Sequence, residues 1–181
     1  MYKRQASEGT YPLPEAQVDR FMLKVLVGYP SPTEEFVIVE RMIAAMPAIQ
    51  RILDPVQLLD LQQQAAEVYV DPALIEYAVQ LVSASREPAA VGQAELAPYI
   101  LYGASPRASI NLILAARALA FMRDRAYVLP EDVLDLAPDV MRHRLVLSYE
   151  ALADNVDGDM VLRRLLAAVR QPEISPHVAL P

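Results

Sequence analysis

Residues 9–21 read GTYPLPEAQVDRF, and a largely apolar run follows them up to residue 27. Residues 21–27 are predicted to form a β-strand, because the run has about seven residues and ends at Gly28-Tyr29-Pro30. A single strand is not stable alone in water, since its backbone needs neighbouring strands to pair with. The sequence therefore predicts one strand whose sheet partners are missing from this chain.

A second informative stretch, GASPRA, occupies residues 103–108. Together the two stretches resemble the MoxR-type AAA+ ATPases. Residues 9–21 resemble the end of the nucleotide-binding core, and residues 103–108 resemble the sensor-2 motif. The resemblance covers the chain from about Ser7 to about Val169. It implies a mainly α fold, in which a helical-bundle AAA+ lid domain follows a one-strand remnant of the α/β P-loop NTPase core.

The resemblance also implies a division of the chain into three parts. Residues 1–54 would carry the C-terminal remnant of the core, with the arginine-finger segment, the last core strand and the helix after it. Residues 55–170 would form the helical lid domain with sensor 2. Residues 171–181, which are rich in proline, are predicted to be a loose tail.

The phosphate-binding motifs of a complete ATPase are absent from the sequence. A P-loop needs the pattern GxxxxGK[ST], and none of the five glycines is followed by lysine. No acidic pair of the Walker B type is present, and residues 1–5 (MYKRQ) depart from the family's sensor-1 stretch. We therefore expect a truncated N-terminus with the catalytic half upstream. This chain alone is expected neither to hydrolyse ATP nor to bind it tightly.

Prolines mark the predicted helix starts. Ser31-Pro32, Asp54-Pro55, Asp71-Pro72 and Ser105-Pro106 each combine an N-cap side chain with a proline in the first turn, and Glu34 completes a capping box after Ser31. The same reasoning explains the acidic pair at residues 34 and 35 as a capping and dipole feature rather than a catalytic one.

The later helices are predicted from apolar spacing. The helix after Ser105 should lie at the centre of the bundle and bury Ile110, Ile113, Leu114, Ala118 and Phe121. A helix over residues 130–144 should be kinked or split at Pro138, and a last helix is predicted over residues 158–169. The sequence leaves open whether residues 145–149 form a strand or a turn.

Composition excludes several classes of protein. The absence of cysteine rules out disulfides and thiolate metal sites, and two distant histidines give no zinc pattern. No apolar run approaches the roughly 20 residues of a membrane span, and no signal peptide is visible; both favour a cytoplasmic protein. Residues 28–104 hold three arginines against ten acids and residues 105–181 nine against ten. Neither half has the positive excess that nucleic-acid binding needs.

Arg20 is the first candidate site residue. By resemblance it occupies the arginine-finger position, from which a guanidinium reaches a neighbouring subunit's active site and stabilises charge on the transferred phosphoryl group. The simpler alternative is a surface arginine that pairs with Asp19 or Glu15.

Arg107 is the second candidate. By resemblance it is the sensor-2 arginine that contacts the γ-phosphate of ATP, and its place in the first turn of a helix suits a phosphate. The alternative is a surface ion pair at a helix end. Two other features, His143 and residues 123–125, are attributed to the negative dipole at helix C-termini.

Two functions remain open at this point. The resemblance implies part of a homo-hexameric ATPase that uses ATP and Mg²⁺ for chaperone-like remodelling or maturation of protein complexes. Partners with a von Willebrand factor A domain would fit such a role. The alternative is a non-enzymatic helical interaction module derived from the lid. Codons for a Walker A lysine and a Walker B acidic pair within roughly 150 positions upstream of Ser7 would favour the ATPase.

Overall fold

The computed structural model describes residues 13–44 and 48–174. Residues 1–5, residues 9–12 of the first motif, and the tail from residue 175 lie outside this part. The helices of the described chain are α1 Glu15–Val18, α2 Pro32–Ile43, α3 Pro55–Glu67, α4 Pro72–Ala84, α5 Pro106–Met122, α6 Pro130–Met141, α7 Tyr149–Ala153 and α8 Gly158–Ala168. Two 3₁₀ helices, Pro88–Val91 and Ala94–Tyr99, lie between α4 and α5.

The predicted helix starts are confirmed. The Ser31 side chain accepts the Glu34 N–H at 3.3 Å, and the Glu34 carboxylate accepts the Ser31 N–H at 2.8 Å, so α2 begins with a complete capping box. Its backbone hydrogen bond with Ser31 is the main reason that the pKa of Glu34 is lowered. Asp54 caps α3 in the same way, with a proline in the first turn.

The hydrophobic core lies between Val68 and Val169, and α5 runs through it against α4 and α6. The central place predicted for α5 is confirmed, but of the five residues predicted to be buried only Ile113 and Phe121 pack against the core, and both are partly buried. The helix buries a face of small residues and one leucine, namely Ala108, Leu112, Ala115, Ala116 and Ala120. Ile110 and Leu114 are exposed instead. Small side chains allow α5 to approach its neighbours closely, which favours the alanine face for burial.

The region after α5 shows whether α6 is split at Pro138 and whether residues 145–149 form a strand or a turn. Helix α6 continues without interruption through Pro138, so the predicted split does not occur. Residues Val146–Leu147 form strand β2, which pairs antiparallel with strand β1, Ile100–Tyr102, and Tyr149 begins α7. This two-stranded ladder ties the segment before α5 to the segment after α6.

The predicted strand at residues 21–27 is wrong: the structure assigns no strand there, and the segment is exposed. A strand needs backbone partners, and no strand in the described part of the chain pairs with it. Its polar backbone groups bind the lid instead. The Lys24 N–H donates to the Asp139 carbonyl oxygen at 2.8 Å, and the Lys24 carbonyl accepts from Arg142 at 2.9 Å.

The turn between α5 and α6 contains a buried ionic cluster that the dipole explanation of residues 123–125 missed. Asp132 is fully buried, and Arg125 binds both of its carboxylate oxygens, at 2.5 and 2.7 Å. Arg123 donates to the same carboxylate at 2.8 Å, and so does the Leu129 N–H. Burial raises the pKa of Asp132, but these hydrogen bonds outweigh burial and lower the pKa overall. The two arginines therefore fix the α5–α6 corner.

Within residues 13–44 and 48–174, no helix combines the length and apolar character that crossing a bilayer requires.

Candidate functional site around Asp19, Arg20 and Arg107

Asp19 joins the N-terminal segment to the start of α5. Its carboxylate accepts a hydrogen bond from the Ser105 hydroxyl at 2.9 Å and forms an ion pair with Arg107 at 3.2 Å. A second ion pair, at 3.0 Å, joins its other oxygen to Nε of Arg144. These contacts connect residues that are 86 to 125 positions apart in the sequence. The two motifs that suggested a nucleotide site thus meet at one carboxylate.

Arg144 is the anchor of this junction. Its side chain is 1% exposed, and Nη2 donates to the carbonyl oxygens of Asp19 at 2.8 Å and Phe21 at 2.5 Å. Nη1 donates to the carbonyls of Met22, at 3.4 Å, and Val140. Burial lowers the pKa of Arg144, whereas the Asp19 carboxylate raises it. Because an arginine remains charged in proteins, Arg144 is a buried cation that clamps the backbone around residue 20.

His143 contributes a further contact to the same backbone. Its Nε2 lies 3.0 Å from the Phe21 carbonyl oxygen, so this nitrogen carries the proton and donates. Nδ1 is buried and has no hydrogen-bond partner among the described residues. Burial is the main reason that the pKa of His143 is lowered, and the charges of Arg144 and Lys24 lower it further. His143 therefore contacts the N-terminal segment, a role that the helix-dipole expectation did not include.

Arg20 is exposed, and nothing in the described part of the chain forms an ion pair or hydrogen bond with its side chain. Asp19, the neighbour expected to pair with it, is engaged by Ser105, Arg107 and Arg144. The peptide groups on both sides of Arg20 are held, since Arg144 binds the carbonyls of Asp19 and Phe21. A fixed backbone and an unpaired guanidinium are the properties that a residue reaching another subunit requires.

Arg107 lies at the second position of α5, and its side chain is 49% exposed. The turn before it is tightly placed: a side chain at Gly103 would bring its first carbon within 2.4 Å of the Ser85 carbonyl oxygen. The Ala104 N–H donates to the Ser85 hydroxyl at 2.9 Å, and Arg86 donates to the Ala104 carbonyl at 2.8 Å. These contacts fix the start of α5 against the end of α4.

Comparison with known proteins supports the two motifs. Residues 92–165 match the AAA lid domain family. Over 168 residues the chain is 49% identical to the chaperone MoxR1 of Mycobacterium tuberculosis, covering 93% of this chain and 45% of that protein. It corresponds to the C-terminal part of a MoxR-type AAA+ ATPase.

Two other similar proteins match nearly the whole of this chain. The uncharacterised protein YeaC of Bacillus subtilis is 35% identical over 167 residues, which are 91% of this chain and 49% of that protein. A crystal structure of a presumed ATPase from Cytophaga hutchinsonii superposes with a TM-score of 0.89 at 39% identity, covering 94% of this chain and 52% of that one. The chain spans about half the length of the curated relatives it matches.

Arg107 is a half-exposed cation in the first turn of the 17-residue helix α5. The backbone N–H groups of Arg107 and Ala108 already donate to Ser105, so the side chain of Arg107 is the group that could contact a phosphate. The Asp19 carboxylate beside it is the one unfavourable charge for a phosphate there. No cluster of three or more His, Cys, Asp or Glu residues in the described ranges is arranged to hold a metal ion.

Sequence reasoning found Arg20 and Arg107 but missed Asp19 and Arg144. The only signal for Asp19 was its place within the first motif, and the signal for Arg144 was the basic Arg-His-Arg sequence of residues 142–144 after α6. Neither signal states which groups they contact, because the partners come from segments far apart in the chain.

Proposed function

We propose that this chain forms part of a MoxR-type ATPase in which Arg20 acts in a neighbouring subunit's active site and Arg107 contacts the γ-phosphate of ATP. Hydrolysis would drive chaperone-like remodelling or maturation of protein complexes. One observation carries the proposal: Asp19 brings the segment of Arg20 against the helix start that holds Arg107, so both arginines lie at one junction.

The two arginines suit different roles at that junction. Arg107 has an anionic partner within its own chain and is half-exposed, as expected of a side chain that exchanges partners when a phosphate binds. Arg20 has no partner within the described residues and points from a backbone that the lid holds in place. An arginine can bind two phosphate oxygens through its planar donors, which a lysine cannot do.

The assembly follows from the role given to Arg20. A finger that acts in a neighbouring site requires a closed ring of subunits, and the proposal adopts a homo-hexamer in the cytoplasm. ATP would supply the phosphoryl group for transfer to water. Mg²⁺ and the phosphate-cradling loop would come from the other half of the ATPase, and proteins with a von Willebrand factor A domain are proposed partners.

Replacement of Arg20 tests the proposal in the ATPase that carries both halves. Arg20→Ala should leave ATP binding nearly unchanged and lower the hydrolysis rate by roughly 10³-fold or more, because the transition-state charge loses its partner. Arg163→Ala, at an exposed arginine of α8, is the matched control and should keep the wild-type rate. Equal hydrolysis by wild type and Arg20→Ala at saturating ATP would refute the finger.

Replacement of Arg107 tests the second role by calorimetry on the same ATPase. Arg107→Ala should weaken binding of a non-hydrolysable ATP analogue while ADP binding changes little, since only ATP has a γ-phosphate. Unchanged affinity for both nucleotides would refute the sensor role. The 181-residue chain, which lacks the P-loop pattern, should bind neither nucleotide at micromolar concentration.

A further inference from the structure

We propose that Asp19 and Arg144 are positioning residues that couple the two arginines of one subunit, with Asp19 holding Arg107 until a γ-phosphate replaces it. The inference rests on the proposed function of Arg107. In this arrangement Asp19 competes with the γ-phosphate for Arg107, and Arg144 holds the backbone on both sides of Arg20.

The contacts of Asp19 show which partner can be exchanged. Arg107 approaches through a single nitrogen at 3.2 Å, and its side chain is half-exposed to water. Arg144 is buried and makes four further hydrogen bonds to backbone carbonyls, so its displacement would leave a buried cation without partners. A phosphate that arrives at the start of α5 would therefore take Arg107 from Asp19, while Arg144 stays in place.

The same geometry links this exchange to Arg20. Asp19 is the residue directly before Arg20, and Arg144 binds both the Asp19 carboxylate and the carbonyls on either side of Arg20. When Arg107 leaves, Asp19 keeps Ser105 and Arg144 as partners, so the finger segment loses one of its contacts with the start of α5. Occupation of one subunit's nucleotide site would thus change how firmly that subunit presents its finger to the next.

Replacement of Asp19 tests whether its carboxylate competes with the γ-phosphate. Loss of a competitor should raise the affinity of the ATPase for ATP, whereas loss of a merely structural residue should not. If Asp19 competes with the γ-phosphate, Asp19→Asn should increase the affinity for a non-hydrolysable ATP analogue by about threefold to fivefold, the range of one partly exposed ion pair. ADP affinity should change little, because ADP has no γ-phosphate. Asp135→Asn is the matched control, since Asp135 forms a partly exposed ion pair with Arg123 away from this junction.

A second measurement uses the 181-residue chain without nucleotide. Arg144→Lys keeps one positive charge but has too few donors to bind the four carbonyls and the carboxylate that Arg144 binds. Hydrogen exchange of the amides of Phe21 and Lys24 should become faster in this variant, because both lie in the clamped segment. Asp19→Asn should also increase the exchange rates of these two amides, but by a smaller factor. Amides of the core helix α5 should keep their slow exchange.

The outcomes separate this inference from the function on which it rests. If Arg107→Ala weakens ATP-analogue binding but Asp19→Asn leaves or lowers it, competition by Asp19 is wrong and the sensor role stands. If Arg107→Ala has no effect on either nucleotide, the proposed function is wrong. Unchanged exchange at Phe21 and Lys24 in Arg144→Lys, with α5 still protected, would overturn the positioning role of Arg144.

Discussion

The lid bundle and the N-terminal segment of residues 13–44 have equally good local helix signals but very different burial. Helix α2 begins with a complete capping box, whereas α5 begins with a single hydroxyl cap. Yet α5 lies in the core, while α2 has no buried residue and leaves Phe36 and Ile43 67% and 81% exposed. Capping therefore decides where a helix begins, and a packing partner decides whether it is buried.

The two regions are joined by polar contacts rather than by apolar packing. Apolar side chains of the N-terminal segment remain exposed, and its described contacts with the lid are ion pairs and hydrogen bonds through Asp19, Lys24 and the carbonyls around Arg20. Polar contacts of this kind give orientation but little net stability. The segment is thus placed by the lid without sharing its core.

Amide hydrogen exchange should show the largest difference between the two regions. Amides of α4, α5 and α6 should exchange only through global unfolding, so they should be slowed by three orders of magnitude or more. Amides of residues 25–28, for which the described part of the chain provides no backbone hydrogen bond, should exchange almost freely, and the Lys24 amide should be intermediate. Slow exchange through residues 25–28 in a monomer would contradict this comparison.

Matched truncations of apolar side chains should show the next largest difference. Leu112→Ala removes a fully buried side chain from α5 and should lower the free energy of unfolding by about 2–5 kcal/mol, because it leaves a cavity. Phe36→Ala removes a larger but exposed side chain from α2 and should change the same quantity by less than about 0.5 kcal/mol. Urea unfolding of the 181-residue chain measures both; a larger loss for Phe36→Ala would show that α2 packs against something.

The comparison also explains what the sequence could predict. Helix starts were predictable because an N-cap residue and a proline act within one turn, as at Ser31 and Asp54. The family was recognisable from two contiguous motifs. The buried face of α5 was not predictable, since Ile110 and Leu114 suggested one face and the alanines another, and only the neighbours decide between them.

Long-range polar contacts were the least predictable feature. Asp19 meets Ser105, Arg107 and Arg144 only because the folded lid brings three segments together. Residues 21–27 have the composition of a strand, but a strand exists only where another strand pairs with it. Asp132 lies in the first turn of α6, where acids are common, and its burial depends on the path of the α5–α6 turn.

Asp132→Asn tests the ionic corner of the lid. The change keeps the shape of the side chain but leaves Arg125 and Arg123 without their shared charge, so we expect a loss of about 2–4 kcal/mol in unfolding free energy. Since the pKa of Asp132 is lowered in the folded protein, its contribution is present above the unfolded value of 3.8 and is lost as the pH falls further.

The control for this corner is Asp135→Asn, because Asp135 pairs with Arg123 at the surface. Asp135→Asn should lower the free energy of unfolding by less than about 1 kcal/mol. If urea titrations gave equal losses of unfolding free energy for the two variants, burial of the Asp132 charge would not increase its contribution to stability.

The smallest expected effect concerns His143 and the junction with the N-terminal segment. The pKa of His143 is lowered in the folded protein, mainly by burial, while Arg144 and Lys24 lower it and Asp19 and the Phe21 carbonyl raise it. Below about pH 6.5 the unfolded chain therefore binds more protons than the folded chain, and the free energy of unfolding falls as the pH falls. The slope cannot exceed about 1.4 kcal/mol per pH unit, the limit for one proton.

His143→Gln separates this titration from all others, since glutamine can still donate to the Phe21 carbonyl oxygen but does not titrate. The difference in unfolding free energy between wild type and variant should change between pH 7 and pH 5.5, with wild type losing more. His177 is present in both proteins and cancels from the comparison. Parallel pH curves would show that His143 has the same pKa in the folded and unfolded chains, and that its burial does not make the stability depend on pH.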